Sequence, residues 1–178
     1  LVLDFKSLYP SIIRTFCIDP AGLISAEHAA EEETVPGYFG GVFHRHEHIL
    51  PDLIRHLGEL REGAKQQGNK PLSQAIKIIM ASCYGVLGSE GCRFYDTRLS
   101  ASITKRGHDI IQRTTAYIAE QGYQVIYGDT DSVFVWVDQE LSDQDADTLG
   151  HQLAEDINQW LSIELNNEFG LKSYLELE

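Results

Sequence analysis

Two acidic strings have the residue types and the setting for metal-ion chemistry. Asp4 ends the apolar run Leu1-Val2-Leu3, and Asp129-Thr130-Asp131 separates two β-rich runs at residues 123–127 and 132–137. Carboxylates gathered at strand ends repel one another, and hard divalent cations relieve that repulsion; Mg²⁺ in particular takes one or two carboxylates together with substrate phosphates. Two such ions about 3.5–4 Å apart can lower the pKa of an attacking hydroxyl and stabilise the leaving oxygen of an in-line displacement at phosphorus, so the reaction these residues suit is nucleotidyl transfer. Taken singly, either aspartate also suits a helix cap or a turn. Gly128 beside the acidic turn lets backbone and substrate approach closely, although a plain hairpin turn favours glycine too.

A complementary cationic group lies in the middle of the chain. Arg61 and Lys65 stand four apart and share a helix face, and Lys77 lies on the following helix with Ala81, Tyr84 and Gly88 on its face. A planar guanidinium fork with two point-charge lysines suits a triphosphate, while Glu59 and Glu62 as neighbours fit an ordinary solvated helix surface. Tyr84 is placed either to stack on a base or to pack in a core, given the preceding Ile78-Ile79-Met80. His44, His46 and His48 alternate as chelating residues can, but Arg45 and Glu47 between them fit an exposed loop.

The elements that must position these residues follow from periodicity and punctuation. Residues 1–5 read as a strand, and Tyr9-Pro10 opens a helix with proline in its first turn. Residues 19–44, rich in Gly, Pro, Ala and Glu, read as a loop-like surface insertion that should be mobile. Leu50, Leu53, Ile54, Leu57 and Leu60 recur at helical spacing, Gly68-Asn69-Lys70-Pro71 breaks the pattern, and a second helix covers residues 72–87. So short a turn predicts an antiparallel helical hairpin. Residues 99–121 predict a helix, 123–127 and 132–137 a β-hairpin with carboxylates at its tip, and 143–168 a helix with Leu149, Leu153, Ile157, Leu161 and Leu165 on one stripe. Residues 172–178 alternate like a strand. With the helical hairpin set aside, the order is β-α-β-β-α-β, an α+β, ferredoxin-like split βαβ topology in which Asp4 approaches the turn of Asp129 and Asp131.

Composition sets the outer bounds. The 178 residues are 43% hydrophobic, enough for an ordinary globular domain with a real core. No run approaches the ~20 apolar residues of a membrane span, and no signal peptide opens the chain, so a protein of the cytoplasm with no membrane partner is expected. Cys17, Cys83 and Cys92 show no CxxC spacing and are expected to be buried free thiols in a reducing compartment. The strand-like beginning and end suggest an excised piece. Net charge is −13, yet residues 45–113 hold 11 of the 14 basic side chains against 7 of the 27 acidic ones. A basic segment suits polyanions and an acidic remainder suits divalent cations, although solvated surface charge produces the same division.

The ordered strings Asp4-Phe5-Lys6-Ser7-Leu8-Tyr9-Pro10-Ser11-Ile12, Lys77 through Tyr84-Gly85, and Tyr127-Gly128-Asp129-Thr130-Asp131-Ser132 resemble motifs A, B and C of the family B DNA polymerases. The flanks Ile18-Asp19-Pro20, Gly68 to Gln74 and Tyr84 to Gly88 are most similar to a bacterial branch of that family associated with DNA repair, which implies a bacterial, nucleoid-associated protein acting in DNA replication or repair. The resemblance implies an inserted fingers hairpin at residues 45–88 and a palm made of residues 1–44 and 89–178. It implies Asp4 and Asp131 as ligands to two Mg²⁺ ions, with Mn²⁺ as a substitute, the Phe5 carbonyl as a further ligand, and Asp129 in support. Backbone amides of Ser7 and Leu8 would hold a dNTP triphosphate, and Tyr9 would exclude a 2′-hydroxyl. Arg61, Lys65 and Lys77 would bind phosphates, and Tyr84 with Gly85 would line the nascent base pair. Glu176 and Glu178 resemble a palm strand near the metals without being ligands. The family pattern has Asn where this chain has Ala81; either the pocket lacks one polar contact or the alignment tolerates the change. Primer–template DNA is the implied partner, with the exonuclease and thumb domains missing, so these 178 residues alone should extend a primer weakly or not at all. The competing reading is a non-catalytic nucleic-acid-binding module on the same ferredoxin-like scaffold, although Phe5, Tyr123, Tyr127, Phe134 and Trp136 do not form the Gly/aromatic signature of RNA-recognition domains.

Overall fold

The computed structural model describes residues 1–25, 30–137 and 141–178. Its described residues form a mixed α and β fold of two small antiparallel sheets and five α-helices, divided into two compact units: Leu1–Leu8 with Arg106–Glu178, and Tyr9–Lys105.

In the first unit, β1 (Val2–Asp4) pairs antiparallel with β6 (Ser132–Trp136), which pairs with β5 (Gln124–Gly128), giving the order β1-β6-β5. Alternation fixes the faces: Leu3, Phe5, Val133 and Val135 are buried, while Val2, Asp4 and Trp136 are exposed. A register shift between Val125 and Tyr127 marks a bulge in β5, just before the acidic turn. Helix α5 (Asp143–Phe169) packs against β1 and buries Leu153, Ile157, Leu161 and Leu165, each worth about 1.5–3 kcal/mol when fully removed from water. Leu149, which the sequence puts on the same stripe, is only half-buried. Ser142 caps this helix by accepting a hydrogen bond from the Asp145 amide, and Gly170 ends it at φ 63°, a left-handed conformation that glycine adopts freely. Arg106, on α4 (Thr97–Glu120), is buried with its guanidinium 4.6 Å from the Phe169 ring centre, and Arg113 pairs with Asp109 and Glu168, which ties α4 to the end of α5.

The expected strand at residues 172–178 is corrected. Leu171, Leu175 and Leu177 are buried as alternation requires, but the segment pairs only through its last three residues, around a single bridge between Phe5, just beyond β1, and Leu177. The reason is register: Lys6 faces Glu176 and a helix begins at Leu8, so residues 172–174 have no strand to face. On the edge away from β1, the Asn158 carboxamide takes both peptide groups of Leu177, donating from Nδ2 to its carbonyl at 2.9 Å and accepting its N–H at Oδ1 at 2.8 Å. A side chain of α5 stands where a neighbouring strand would be.

In the second unit, α1 (Leu8–Thr15) buries Ile12 and Ile13 completely. Residues 19–44 are not the loop expected from composition, and this too is a correction. They hold β2 (Leu23–Ser25), β3 (Thr34–Pro36) and β4 (Gly41–His44) in a sheet of order β2-β4-β3 with Val35 and Phe43 fully buried. Strands of three or four residues are too short for alternation to stand out against the surrounding Gly and Pro, and Pro36 sits on an edge strand, where it is tolerated. Residues 26–29 of this stretch lie outside the described residues.

Helices α2 (Leu50–Gln66) and α3 (Lys70–Leu87) pack as the expected antiparallel hairpin. Gly68 takes φ 68° in the turn, and Asn69 caps α3 by accepting the Leu72 amide at 3.1 Å. The cap of α2 is long-range. Ile49 at its start offers no side-chain oxygen, and buried Asp19 instead accepts from the amides of Ala21, Gly22 and Leu50 at 2.7–2.9 Å. Of the apolar stripe expected on α2, Ile54 is fully buried, whereas Leu53 and Leu60 are about half exposed, at 47% and 49%. Cys17 is buried as expected, but Cys83 and Cys92 are only half-buried, because their stretches lie on partly exposed surfaces of this unit; all three are free thiols.

Candidate active site

The acidic residues converge through backbone register. In the ladder between β1 and β6, Asp4 stands opposite Ser132, and the Phe5 amide donates to the Asp131 carbonyl at 2.8 Å. Asp4 and Asp131 therefore occupy adjacent register positions at one end of the sheet, and both are exposed. Asp129 closes the turn between β5 and β6: its amide donates to the Ser132 carbonyl at 2.9 Å, and its Oδ1 accepts from the Thr130 amide and hydroxyl. That role holds the Asp131 backbone in place. A methyl group added at Gly128 would meet only ordinary contacts, 3.8 Å from the Ser132 carbonyl and 3.9 Å from Ile111, so packing within the chain does not require glycine there.

Beyond Asp4 the chain turns at once from β1 into α1. Ser7 makes that turn at φ 49°, in the left-handed region that side-chain-bearing residues seldom enter and that tends to mark functional backbone. Its amide and that of Leu8 lie at the start of α1, where the first amides of a helix have no carbonyl partner within the helix. The sequence gives no signal of this conformation.

Lys6 is a second residue whose setting the sequence did not reveal. Its amide donates to the Glu176 carbonyl, and its Nζ lies 2.7 Å from Glu176 Oε1 and 2.9 Å from Glu178 Oε2. Hydrogen bonds that its ammonium donates to Glu176 and then Glu178 hold its pKa above the usual lysine range. A lysine two residues past the end of β1 and two alternating glutamates in Leu175-Glu176-Leu177-Glu178 are the only sequence trace, and it becomes readable once the two segments are known to pair.

The other residues belong to the second unit. Tyr9 and Tyr84 are half-buried against each other, with ring centres 4.6 Å apart and planes at 49°. Gly85 is exposed, and a side chain there would meet nothing within 4 Å. Lys65 is exposed and pairs with Glu62 at 2.6 Å; Lys77 is exposed on α3; Arg61 is half-buried, and its Nε is buried without a hydrogen-bond partner among the described residues. His48 Nδ1 lies 3.2 Å from Asp52 Oδ2, a local pair at the start of α2.

Among the described residues no group of three His, Cys, Asp or Glu side chains stands ready to hold a metal ion by itself. Two exposed aspartates at adjacent backbone positions nevertheless fit the donor set of a site that substrate phosphates complete, since Mg²⁺ takes one or two carboxylates and fills its remaining positions with phosphate oxygens and water. No helix among the described residues is long and apolar enough to cross a membrane.

Comparison with known proteins identifies the family of the chain. The chain is 51% identical over 179 residues to DNA polymerase II of Escherichia coli (strain K12), across the whole chain and 23% of that protein. It is 30% identical to the DNA polymerase alpha catalytic subunit of Dictyostelium discoideum, across 89% of the chain and 11% of that protein. The structure of the family B DNA polymerase from the archaeon Pyrobaculum calidifontis superposes on the whole chain with a TM-score of 0.67 at 26% identity, and 23% of that polymerase is covered. The chain thus spans about a quarter or less of the length of these relatives. Residues 1–175 match the model for DNA polymerase family B, and the chain belongs to that family.

Proposed function

We propose that this chain carries the catalytic centre of a template-directed DNA polymerase, which joins the α-phosphate of an incoming dNTP to a primer 3′-hydroxyl and releases pyrophosphate. The observation that carries the reading is the register that sets Asp4 beside Asp131 at the end of the sheet. Asp4 and Asp131, with the Phe5 carbonyl, would hold two Mg²⁺ ions, and Asp129 would support them through the turn it closes. Bound Mg²⁺ would supply activation of the attacking hydroxyl and neutralisation of the leaving group.

The remaining roles belong to the chain's own groups, and catalysis through them is positioning and electrostatics. The amides of Ser7 and Leu8 would receive the triphosphate oxygens, a role that the left-handed turn at Ser7 supports. Tyr9, braced by Tyr84, would close off the sugar edge and exclude a 2′-hydroxyl. Arg61, Lys65 and Lys77 would bind phosphates, and the unpartnered Nε of Arg61 is a donor suited to that task. Open space at Gly85 suits the passage of a base pair.

The last residues pair with β1 on the side opposite β6, which supports a ferredoxin-like palm with strand order last-first-third-second. Residues 1–44 and 89–178 would form that palm, and residues 45–88 an inserted fingers hairpin. Primer–template DNA and further domains such as an exonuclease and a thumb would be the partners, in replication or repair at the bacterial nucleoid.

Single-turnover primer extension by the complete polymerase tests the site. Asp131→Ala or Asp4→Ala should lower the rate by about three orders of magnitude or more, the equivalent of several kcal/mol of lost transition-state stabilisation, with melting temperature nearly unchanged. Normal extension by either variant would refute the assignment.

A further inference from the structure

We propose that Lys6 is a positioning residue that keeps Glu176 and Glu178 out of metal coordination, its ammonium occupying the place between their carboxylates that a divalent ion would otherwise take. The inference rests on the reading of Asp4 and Asp131 as the ion ligands.

The geometry comes from two adjoining extended segments. Backbone hydrogen bonds set Lys6 opposite Glu176 and Asp4 opposite Glu178: the Lys6 amide donates to the Glu176 carbonyl, the Asp4 amide donates to the Glu178 carbonyl, and the Glu178 amide donates to the Asp4 carbonyl, each at 2.8–2.9 Å. Leu3, Phe5, Leu175 and Leu177 are buried, so Asp4, Lys6, Glu176 and Glu178 share the opposite, exposed face. The two segments therefore carry three acidic residues and one cation on one exposed face. A single ammonium reaches both glutamates, at 2.7 Å and 2.9 Å, and its three N–H donors allow it to serve both at once.

This contact is poorly suited to holding the fold. The side chains of Lys6, Glu176 and Glu178 are 41%, 60% and 56% exposed, and exposed ion pairs contribute little to stability. The segment is already anchored by its backbone bonds, the Asn158 carboxamide and buried Leu177. What the lysine does provide is local neutrality. Hard oxygen ligands on the same face, two residues apart, are what a divalent ion seeks, and an ion captured there would compete with the pair at Asp4 and Asp131.

Manganese binding to the complete polymerase without DNA or nucleotide, followed by electron paramagnetic resonance and calorimetry, tests the proposal. Lys6→Met should gain one Mn²⁺ site, or bind its sites roughly tenfold more tightly in total, because two freed carboxylates supply oxygen ligands. Lys6→Arg should match the parent, and adding Glu176→Gln and Glu178→Gln to Lys6→Met should abolish the gain. Unchanged Mn²⁺ stoichiometry and affinity in a folded Lys6→Met protein would overturn the proposal. Should Lys6→Met not fold, Glu176→Gln/Glu178→Gln alone decides the matter: parental Mn²⁺ binding supports the proposal, and a lost site overturns it. Asp131→Ala separates the two readings. If, with primer–template and dNTP present, it loses a Mn²⁺ site while Lys6→Met adds none, only the role of Lys6 fails; if it keeps every Mn²⁺ site under those conditions, the assignment of Asp4 and Asp131 fails.

Discussion

The two compact units differ in charge, and the helices they carry differ in how they use apolar residues. The unit of residues 1–8 and 106–178 has 16 acidic and 4 basic side chains, whereas residues 9–105 have 11 and 10. In the first, α5 commits its leucine stripe to the interior; in the second, the hairpin of α2 and α3 leaves Leu53, Leu60, Leu72, Ile78, Ile79 and Val86 about half exposed, along with Lys65 and Lys77. Carboxylates suited to metal ions thus stand on a unit with a well-filled interior, and cations suited to phosphates stand on a hairpin that buries little. The contrast teaches that stability and nucleotide affinity should respond to different substitutions, because they draw on different parts of the chain.

The largest effect that could break this contrast is on stability. Leu161→Ala, at a position only 1% exposed, should cost about 2–5 kcal/mol, whereas Leu60→Ala on the hairpin should stay within roughly 0.5 kcal/mol. Urea denaturation of the two variants measures both, and equal losses would erase the distinction. Next in size is an effect on binding. Lys77→Ala should raise the nucleotide KM of the complete polymerase about tenfold or more, the worth of a charge-assisted hydrogen bond, without moving the melting temperature. A KM equal to that of the parent would remove Lys77 from the proposed phosphate site.

The smallest effect concerns pH. Arg98 forks onto Asp96, with Nη2 at 2.7 Å and Nε at 3.0 Å, and its hydrogen bonds hold the Asp96 carboxyl below the usual aspartate range. A carboxyl whose pKa is lowered on folding stabilises the native state above its unfolded value of about 4, and that contribution is lost as pH falls through the lower native value. Because the pair is about one-third exposed, the contribution at pH 7 should be under about 1 kcal/mol. Asp96→Asn should therefore lose that amount at pH 7 and converge with the parent once pH falls below the lowered native value, as urea melts across pH would record. A difference that persists in acid would point to packing instead.

Much of this was legible in the sequence where the signals were local. The hairpin announced itself through Gly68, Asn69 and Pro71, and α5 through its leucine spacing; the placement of Asp4 next to the acidic turn followed from the order of elements. What stayed hidden depends on partners distant in sequence or on elements too short for periodicity. The strands within residues 19–44 span three or four residues each, Asp19 caps a helix that begins 31 residues later, and Lys6 meets Glu176 across 170 residues. The conformation of Ser7 is hidden differently, because no residue type marks a serine forced to positive φ.

Asn158 has a further consequence. A strand at the rim of a sheet offers unpaired peptide groups that another molecule can zip onto, which is how edge-to-edge aggregation starts. By engaging both the N–H and the carbonyl of Leu177, one carboxamide from α5 blunts that rim with a side chain. The sheet that bears the acidic residues therefore has a guarded border at that position, and a stray β-segment finds no hydrogen-bonding groups on Leu177 to recruit.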